Sequence, residues 1–278
     1  MTSTIDMGAS APIAFIGGGN MASAIIGGLI REGLPAAQIE VVEPYEEARR
    51  KLRAQFGIEA REQPGPALAR AALVVWAVKP QTFKDAAGAA RGPTGSALHL
   101  SVAAGIRSDS IAQWLGTQRI VRSMPNTPAL IGKGMTALYA RPGVSAADKA
   151  RVEQVIATTG ASLWVDEEAL LDAVTALSGS GPAYVFFFLE AMTRAGVEMG
   201  LSREQAYRLS VGTFAGAAAL AQASGDPPEV LRQRVTSKGG TTHAAITSME
   251  QDQVQALFMK ALHAAQRRAA ELGDEFGA

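Results

Sequence analysis

The stretch Ile13-Ala14-Phe15-Ile16-Gly17-Gly18-Gly19-Asn20-Met21-Ala22 does most to limit what this chain can become. An apolar run of strand length meets three glycines, and Met21 to Arg31 follows as a helix of small residues closed by Gly33. In the pattern Gly17-x-Gly19-x-x-Ala22 the first glycine permits a tight turn. The second lets the backbone approach a pyrophosphate, and the third small residue lets helix and strand pack closely. The free N–H groups and positive dipole of the helix start suit an anion. Gly17, Gly19, Asn20, Met21 and Ala22 are therefore candidate cofactor-binding residues. The plainer alternative is a structural turn, and the strand–helix context favours the dinucleotide.

Alternation of strand and helix signals continues to Val165. Ile39 to Val42 reads as the second strand and Tyr45 to Gln55 as a charged helix. Leu73 to Val78 and Ala97 to Val102 are apolar runs of strand length, with further strands expected at Arg119 to Ser123, Met135 to Tyr139 and Ser162 to Val165. Ser145 with Asp148 three residues on marks a capped helix start. This order predicts an α/β fold, a Rossmann-type, doubly wound parallel sheet with right-handed crossovers.

From Glu167 the pattern is helical: Glu168 to Leu177, Pro182 to Met199, Glu204 to Ala223, Glu229 to Val235, Thr242 to Glu250 and Asp252 to Leu272. The expected domains are 1–166, dinucleotide-binding with a flexible extension over 1–11, and 167–278, all-helical. Pro182 to Met199 is apolar almost all round, which predicts burial on every side. A small helical domain alone would leave much apolar surface wet, so an obligate homodimer is expected.

Other strand ends add candidates. Glu43 ends the second strand, where an acidic residue bonding the adenosine ribose hydroxyls is expected; a carboxylate there favours NADH and repels a 2′-phosphate. A solvated strand-end glutamate is the alternative. Ala77, Val78, Lys79 and Pro80 close the third strand over the cofactor crevice. Lys79 either faces the nicotinamide or a phosphate, or is the first solvated residue after a buried strand. Ala103, just past the fourth apolar run, completes the cofactor set. The rigid loop Met124-Pro125-Asn126-Thr127-Pro128 offers the Asn126 carboxamide to substrate or nicotinamide. Ser178-Gly179-Ser180-Gly181-Pro182 permits close approach of another chain or a ligand, or simply a kink.

Ser237-Lys238-Gly239-Gly240-Thr241-Thr242 forms a second anion nest, with two glycines and three hydroxyls at a helix start. A flexible helix–helix turn is the alternative. Two nests this far apart in sequence suggest a cofactor at one and a small acidic substrate at the other.

Composition closes off other classes. Lys plus Arg equals Asp plus Glu at 26 each, which argues against nucleic-acid and anionic-membrane partners. With no cysteine, disulfides, iron–sulfur clusters and thiolate chemistry are excluded. The three histidines show no metal-ligand spacing, and no metal is expected. Met1 to Ala11 is no signal peptide and no apolar window spans a bilayer, so a cytoplasmic protein is expected.

In this order the pieces resemble the pyrroline-5-carboxylate reductase family, from Phe15-Ile16-Gly17 to Leu272. The resemblance passes through Ala77-Val78-Lys79-Pro80, Met124-Pro125-Asn126-Thr127-Pro128 and Leu177-Ser178-Gly179-Ser180-Gly181-Pro182-Ala183-Tyr184. Its most specific part is Val235-Thr236-Ser237-Lys238-Gly239-Gly240-Thr241-Thr242. It implies NADPH- or NADH-dependent reduction of the cyclic imine 1-pyrroline-5-carboxylate to L-proline, the last step of proline biosynthesis. It further implies a helical domain that binds substrate and dimerises, with five dimers assembling into decamers. The substrate carboxylate would lie on the amides of Ser237 to Thr242, and Thr242, the catalytic candidate, would align the ring nitrogen. Gln63-Pro64 and Glu43 depart from what many relatives carry.

Two other readings compete. Related β-hydroxyacid dehydrogenases use a lysine about one helical turn past a glycine motif in the second domain, but no lysine occurs between Gly181 and Lys238. A nucleotide-binding regulator would not require the hydroxyl-rich C-terminal nest.

Overall fold

The computed structural model describes residues 11–277; the flexible extension expected over 1–11 lies, apart from Ala11, outside the described residues. The elements are β1 (Ile13–Ile16), α1 (Asn20–Arg31), β2 (Ile39–Val42), α2 (Glu46–Phe56), β3 (Leu73–Trp76), α3 (Pro80–Thr94), β4 (Leu98–Ser101), α4 (Ser108–Leu115) and β5 (Ile120–Met124). They continue through β6 (Gly134–Ala140), α5 (Ala146–Ala157), β7 (Gly160–Trp164) and α6 (Leu170–Val174) to the helices α7 (Gly181–Glu198), α8 (Arg203–Ala223), α9 (Pro228–Arg234), α10 (Thr241–Gln251) and α11 (Val254–Phe276). The described residues through Ser180, with those from Ala265 onward, form one compact unit; Gly181–Ala264 form another. No helix among the described residues is long and apolar enough to cross a membrane.

The sheet order is β2-β1-β3-β4-β5-β6-β7. Strands β1 to β5 are parallel, but β6 pairs antiparallel with β5 and β7 follows β6 in parallel, which corrects the expectation of a wholly parallel sheet. The physical reason lies in the connection. Residues 125–133 hold only a short 3₁₀ turn, Thr127–Ile131, and a parallel return needs a crossover of a dozen residues or more. Beyond β2, Arg61 makes a parallel bridge to Val42, donating its N–H to Val41 O and accepting at its own carbonyl from Glu43 N–H, each at 2.8 Å. Counting this bridge as a rudimentary strand restores the 3-2-1-4-5-6 order of a dinucleotide-binding fold.

Strand residues alternate between two cores. Ile13, Phe15, Leu73 and Val75 pack with Ile25, Leu29 and Val155, while Ala14, Ile16, Val74 and Trp76 pack with Phe83, Ala87 and Ile111. Burial on both faces is why these strands read as continuous apolar runs rather than alternating ones. Each Val, Leu, Ile or Phe side chain among them, taken from water, contributes about 1.5–3 kcal/mol. Ser145 and Asp148 form the expected capping box on α5.

After α6 the chain makes a π-helical turn, Thr175–Gly179, so the helix expected over Glu168 to Leu177 is shorter and ends irregularly. At Gly179, where another chain, a ligand or a kink was expected, the close neighbour is the Met124 side chain of the same chain, at the end of this irregular turn.

In the helical unit α7 packs along α8, where a Cβ on Gly196 would lie 2.8 Å from Ala206 Cβ. Phe258 meets Tyr184 and Phe188 edge-on at 5.7 and 5.6 Å. Burial of α7 on every side does not hold within one chain. Only Thr193 and Gly196 are buried, while Phe186 and Phe187 are 58% and 67% exposed.

Candidate functional site

The carboxyl ends of β1 and β3, neighbours in the sheet, open a crevice at the point where strand order reverses. Gly17 continues β1 by donating its N–H to Val42 O at 2.8 Å. Its φ is +97°, and a Cβ there would stand 2.6 Å from Ala77 O. Only glycine fits. Gly18 is wedged against α2, where a Cβ would meet Leu52 Cδ1 at 2.6 Å. Gly19 caps α1, and nothing lies within 4 Å of its Cβ position. The first turn of α1 holds no acidic residue and no side-chain cap, so no side chain answers its free N–H groups. Ala22, fully buried, seats the helix on the sheet.

The crevice has a volume of about 510 Å³. Of the candidate cofactor residues, Gly17, Gly19, Glu43, Ala77, Val78 and Lys79 line it. Asn20 is exposed at the first turn of α1, Met21 packs against one core and Ala103 is buried in the other. Pro80 opens α3. An open glycine cap, an uncapped helix start and a crevice of this size fit a dinucleotide.

Glu43 is the surprise. It is 5% exposed, its Oε2 accepts the N–H of Gly18 at 2.7 Å, and its Oε1 accepts that of Tyr45 at 2.9 Å. Both carboxylate oxygens therefore brace backbone while the residue still lines the crevice. The reading as a solvated glutamate is excluded by this burial. Arg49, a turn onward, donates to the carbonyls of Glu43 and Pro44 at 2.9 and 2.6 Å. Sequence reasoning missed Tyr45, which lines the crevice and is 71% exposed. Its signal was an aromatic two residues past a strand-end acid. Lys79 is exposed at the N-cap of α3.

Asn126 is held at both ends of its carboxamide. Oδ1 accepts the N–H of Met135 at 2.9 Å, and Nδ2 donates to Ser178 O at 3.2 Å.

In the helical unit the second nest has the form of an open helix start. Gly239 sits at φ +75°, the left-handed region that favours glycine. Gly240, the N-cap of α10, donates its N–H to Ser237 O at 3.0 Å, and a Cβ on it would lie 2.7 Å from Ser237 Oγ. Neither a side-chain cap nor an acidic first-turn residue answers the amides of Thr241, Thr242 and His243. Ser237, Lys238, Gly239, Thr241 and Thr242 are exposed and Gly240 half-buried. The helix begins at Thr241, so both threonines lie in its first turn.

Among the described residues no group of three or more His, Asp or Glu is placed to hold a metal. His99 is buried, with Nδ1 accepting Trp76 Nε1–H at 3.0 Å. Burial lowers its pKa from the ordinary 6.5 to about 4.

Comparison with known proteins agrees with this geometry. Residues 168–272 match a family model described as pyrroline-5-carboxylate reductase dimerisation, and residues 12–105 one described as NADP oxidoreductase, coenzyme F420-dependent. A pyrroline-5-carboxylate reductase of Pseudomonas aeruginosa is 49% identical over 95% of this chain and 98% of that one. The structure of a pyrroline-5-carboxylate reductase from Coxiella burnetii superposes with a TM-score of 0.87 at 38% identity, covering 94% of this chain and 98% of that one. The Plasmodium falciparum pyrroline carboxylate reductase with NADP bound gives a TM-score of 0.85 at 27% identity, covering 95% and 98%. At 49% identity over nearly the whole length of both chains, and with residues 168–272 matching the dimerisation model, the chain belongs to the pyrroline-5-carboxylate reductase family.

Proposed function

We propose that this protein reduces 1-pyrroline-5-carboxylate to L-proline with a reduced nicotinamide cofactor. The observation that carries the reading is the Ser237–Thr242 turn, an exposed helix start with unanswered amides and hydroxyls, in a chain that also holds a dinucleotide crevice. The cofactor, when bound, supplies the hydride that the imine carbon receives. The amides from Ser237 to Thr242 hold the substrate carboxylate, a charge-assisted contact that fixes the ring.

Thr242 Oγ hydrogen-bonds and aligns the ring nitrogen, relaying a proton from water. A hydroxyl is too weak an acid to drive protonation alone, so positioning carries the rate; alignment of two reactants supplies up to ~7–11 kcal/mol. Asn126 contributes by fixing its own turn, because its carboxamide is bonded at both ends. The division of labour follows the two compact units, the one that holds the sheet for the dinucleotide and Gly181–Ala264 for substrate and dimerisation, so it falls later than the boundary expected at 166 and returns the end of α11 to the first unit. The exposed apolar side chains of α7 and α8 support a homodimer, and resemblance extends this to decamers. A cytoplasmic location belongs to the same reading.

Glu43 tilts the cofactor choice to NADH, because its buried carboxylate at the crevice repels a 2′-phosphate. The NADP named for the model matching residues 12–105 argues the other way. Loss of reduced-nicotinamide absorbance on adding pyrroline-5-carboxylate, run in parallel with NADH and NADPH, tests both points. Proline formation with a preference for NADH is expected, and Thr242→Ala should lower kcat. Intact turnover in Thr242→Ala would remove the threonine from the mechanism. No turnover by a folded protein that binds nucleotide would favour a regulator.

A further inference from the structure

The loop between β4 and α4, residues 102–107, leaves the sheet beside the crevice. Val102 donates its N–H to Trp76 O at 3.0 Å, and the next residue after Trp76, Ala77, lines the crevice. This loop is gripped from outside by the last turn of α11. Gly105, at φ +72°, comes so close to Leu272 that a Cβ on it would lie 3.2 Å from Leu272 Cβ. Arg107 Nη2 donates to Asp274 Oδ1 at 2.6 Å. Gly273 is buried, its Cβ position 3.1 Å from Arg107 Nε. Ser110 Oγ donates to Gly277 O at 2.8 Å. Phe276 packs on the core that contains Ala103, Ile106 and Ile111.

Immediately after the loop, Ser108 donates its N–H to Glu168 Oε1 at 2.6 Å, and Arg122 donates to the same oxygen at 2.6 Å. The loop is thus anchored at both ends by groups remote in sequence, and its outer side is closed by residues 272–277. The match to the dimerisation model ends at residue 272, so nearly all of this turn lies beyond it.

We propose that the C-terminal turn, 272–277, is a clamp that positions the 102–107 loop for the nicotinamide cofactor. The inference rests on the reading of this chain as a nicotinamide-dependent reductase. The Arg107–Asp274 pair is exposed and contributes little by itself. The packing of Phe276, the glycine contacts and the Ser110 bond hold the loop collectively, so the whole turn must be removed to see the full effect.

The test compares the full chain with a chain ending at Leu272, with Phe276→Ala and with Ser110→Ala. Dissociation constants for NADH and NADPH are read by nicotinamide fluorescence without substrate. KM for cofactor and imine, kcat, thermal midpoint and hydrogen exchange of residues 102–107 are measured alongside. The shortened chain should bind cofactor roughly tenfold more weakly, with a parallel rise in cofactor KM, a smaller change in imine KM and faster exchange in the loop. Phe276→Ala should move the same quantities several-fold. Should the shortened chain fail to fold, the two point variants decide by the same criterion. Unchanged cofactor binding in a folded variant, even with a lower thermal midpoint, would overturn the clamp. Cofactor binding by the full chain without imine turnover would overturn the proposed reaction alone, since the clamp is scored on binding. Failure of the full chain to bind either cofactor would overturn both.

Discussion

The carboxylate of Glu43 accepts the peptide N–H of Gly18 at 2.7 Å, tying the end of the second strand to the middle of the glycine turn. The turn's shape therefore depends on a residue that also faces the crevice. Burial of the carboxylate is tolerated because both of its oxygens are hydrogen-bonded. Replacing Glu43 by Gln leaves one acceptor and turns a donor toward a backbone N–H. We expect a loss of about 2 kcal/mol in stability and roughly tenfold weaker binding of NADH, with a smaller loss for NADPH because the charge that repels its 2′-phosphate is gone. Urea denaturation and fluorescence titration would show it. A residue that only read the ribose would change the NADH-to-NADPH ratio with no loss of stability, so the stability loss is the deciding readout.

Gly17 and Gly19 should respond differently to a methyl group. Gly17→Ala places a side chain at φ +97° and against the Ala77 carbonyl, so we expect a fall of about 1–3 kcal/mol in stability. Gly19→Ala meets nothing within 4 Å and should leave the thermal midpoint unchanged. Its methyl would stand where a pyrophosphate approaches, so cofactor binding should weaken all the same. Thermal melts with and without NADH separate the two variants.

His99 makes stability depend on pH. Its folded pKa of about 4 lies below the ordinary 6.5, so the folded state holds it neutral while the unfolded chain binds a proton. Above pH 6.5 the two states bind equally and nothing is lost. As pH falls from 6.5 to about 4 the unfolded state gains, and stability should drop by up to about 3 kcal/mol at roughly 1.4 kcal/mol per pH unit. His99→Gln keeps an acceptor for Trp76 without the titration. Its stability should fall less over that window than that of the parent, as measured by urea melts at several pH values.

Gln253, between α10 and α11, has φ +54°, the sole positive value on a non-glycine among the described residues. Left-handed backbone is unfavourable for a residue with a Cβ. Gln253→Gly should stabilise the protein by about 0.5 kcal/mol, net of glycine's greater unfolded entropy. A lower thermal midpoint would mean that the glutamine side chain contributes more than the strain removes.

Features governed by neighbouring residues can be read along the chain. Apolar runs such as Leu73 to Trp76, the capping box at Ser145, and the glycines at 17 and 239 are properties of a few neighbouring residues, and all are legible in the sequence. The order of the two nests was legible for the same reason. Tertiary structure alone decided whatever joins residues remote along the chain. The reversal of β6 and β7, the bridge that Arg61 adds beyond β2 and the burial of Glu43 beneath Gly18 are of this kind. So are the tie of Asn126 to Ser178 and the grip of the last turn of α11 on residues 105–110. A side chain's period marks the face it occupies, but only packing decides which neighbour it meets there, because contact energies depend on positions that local propensity does not encode.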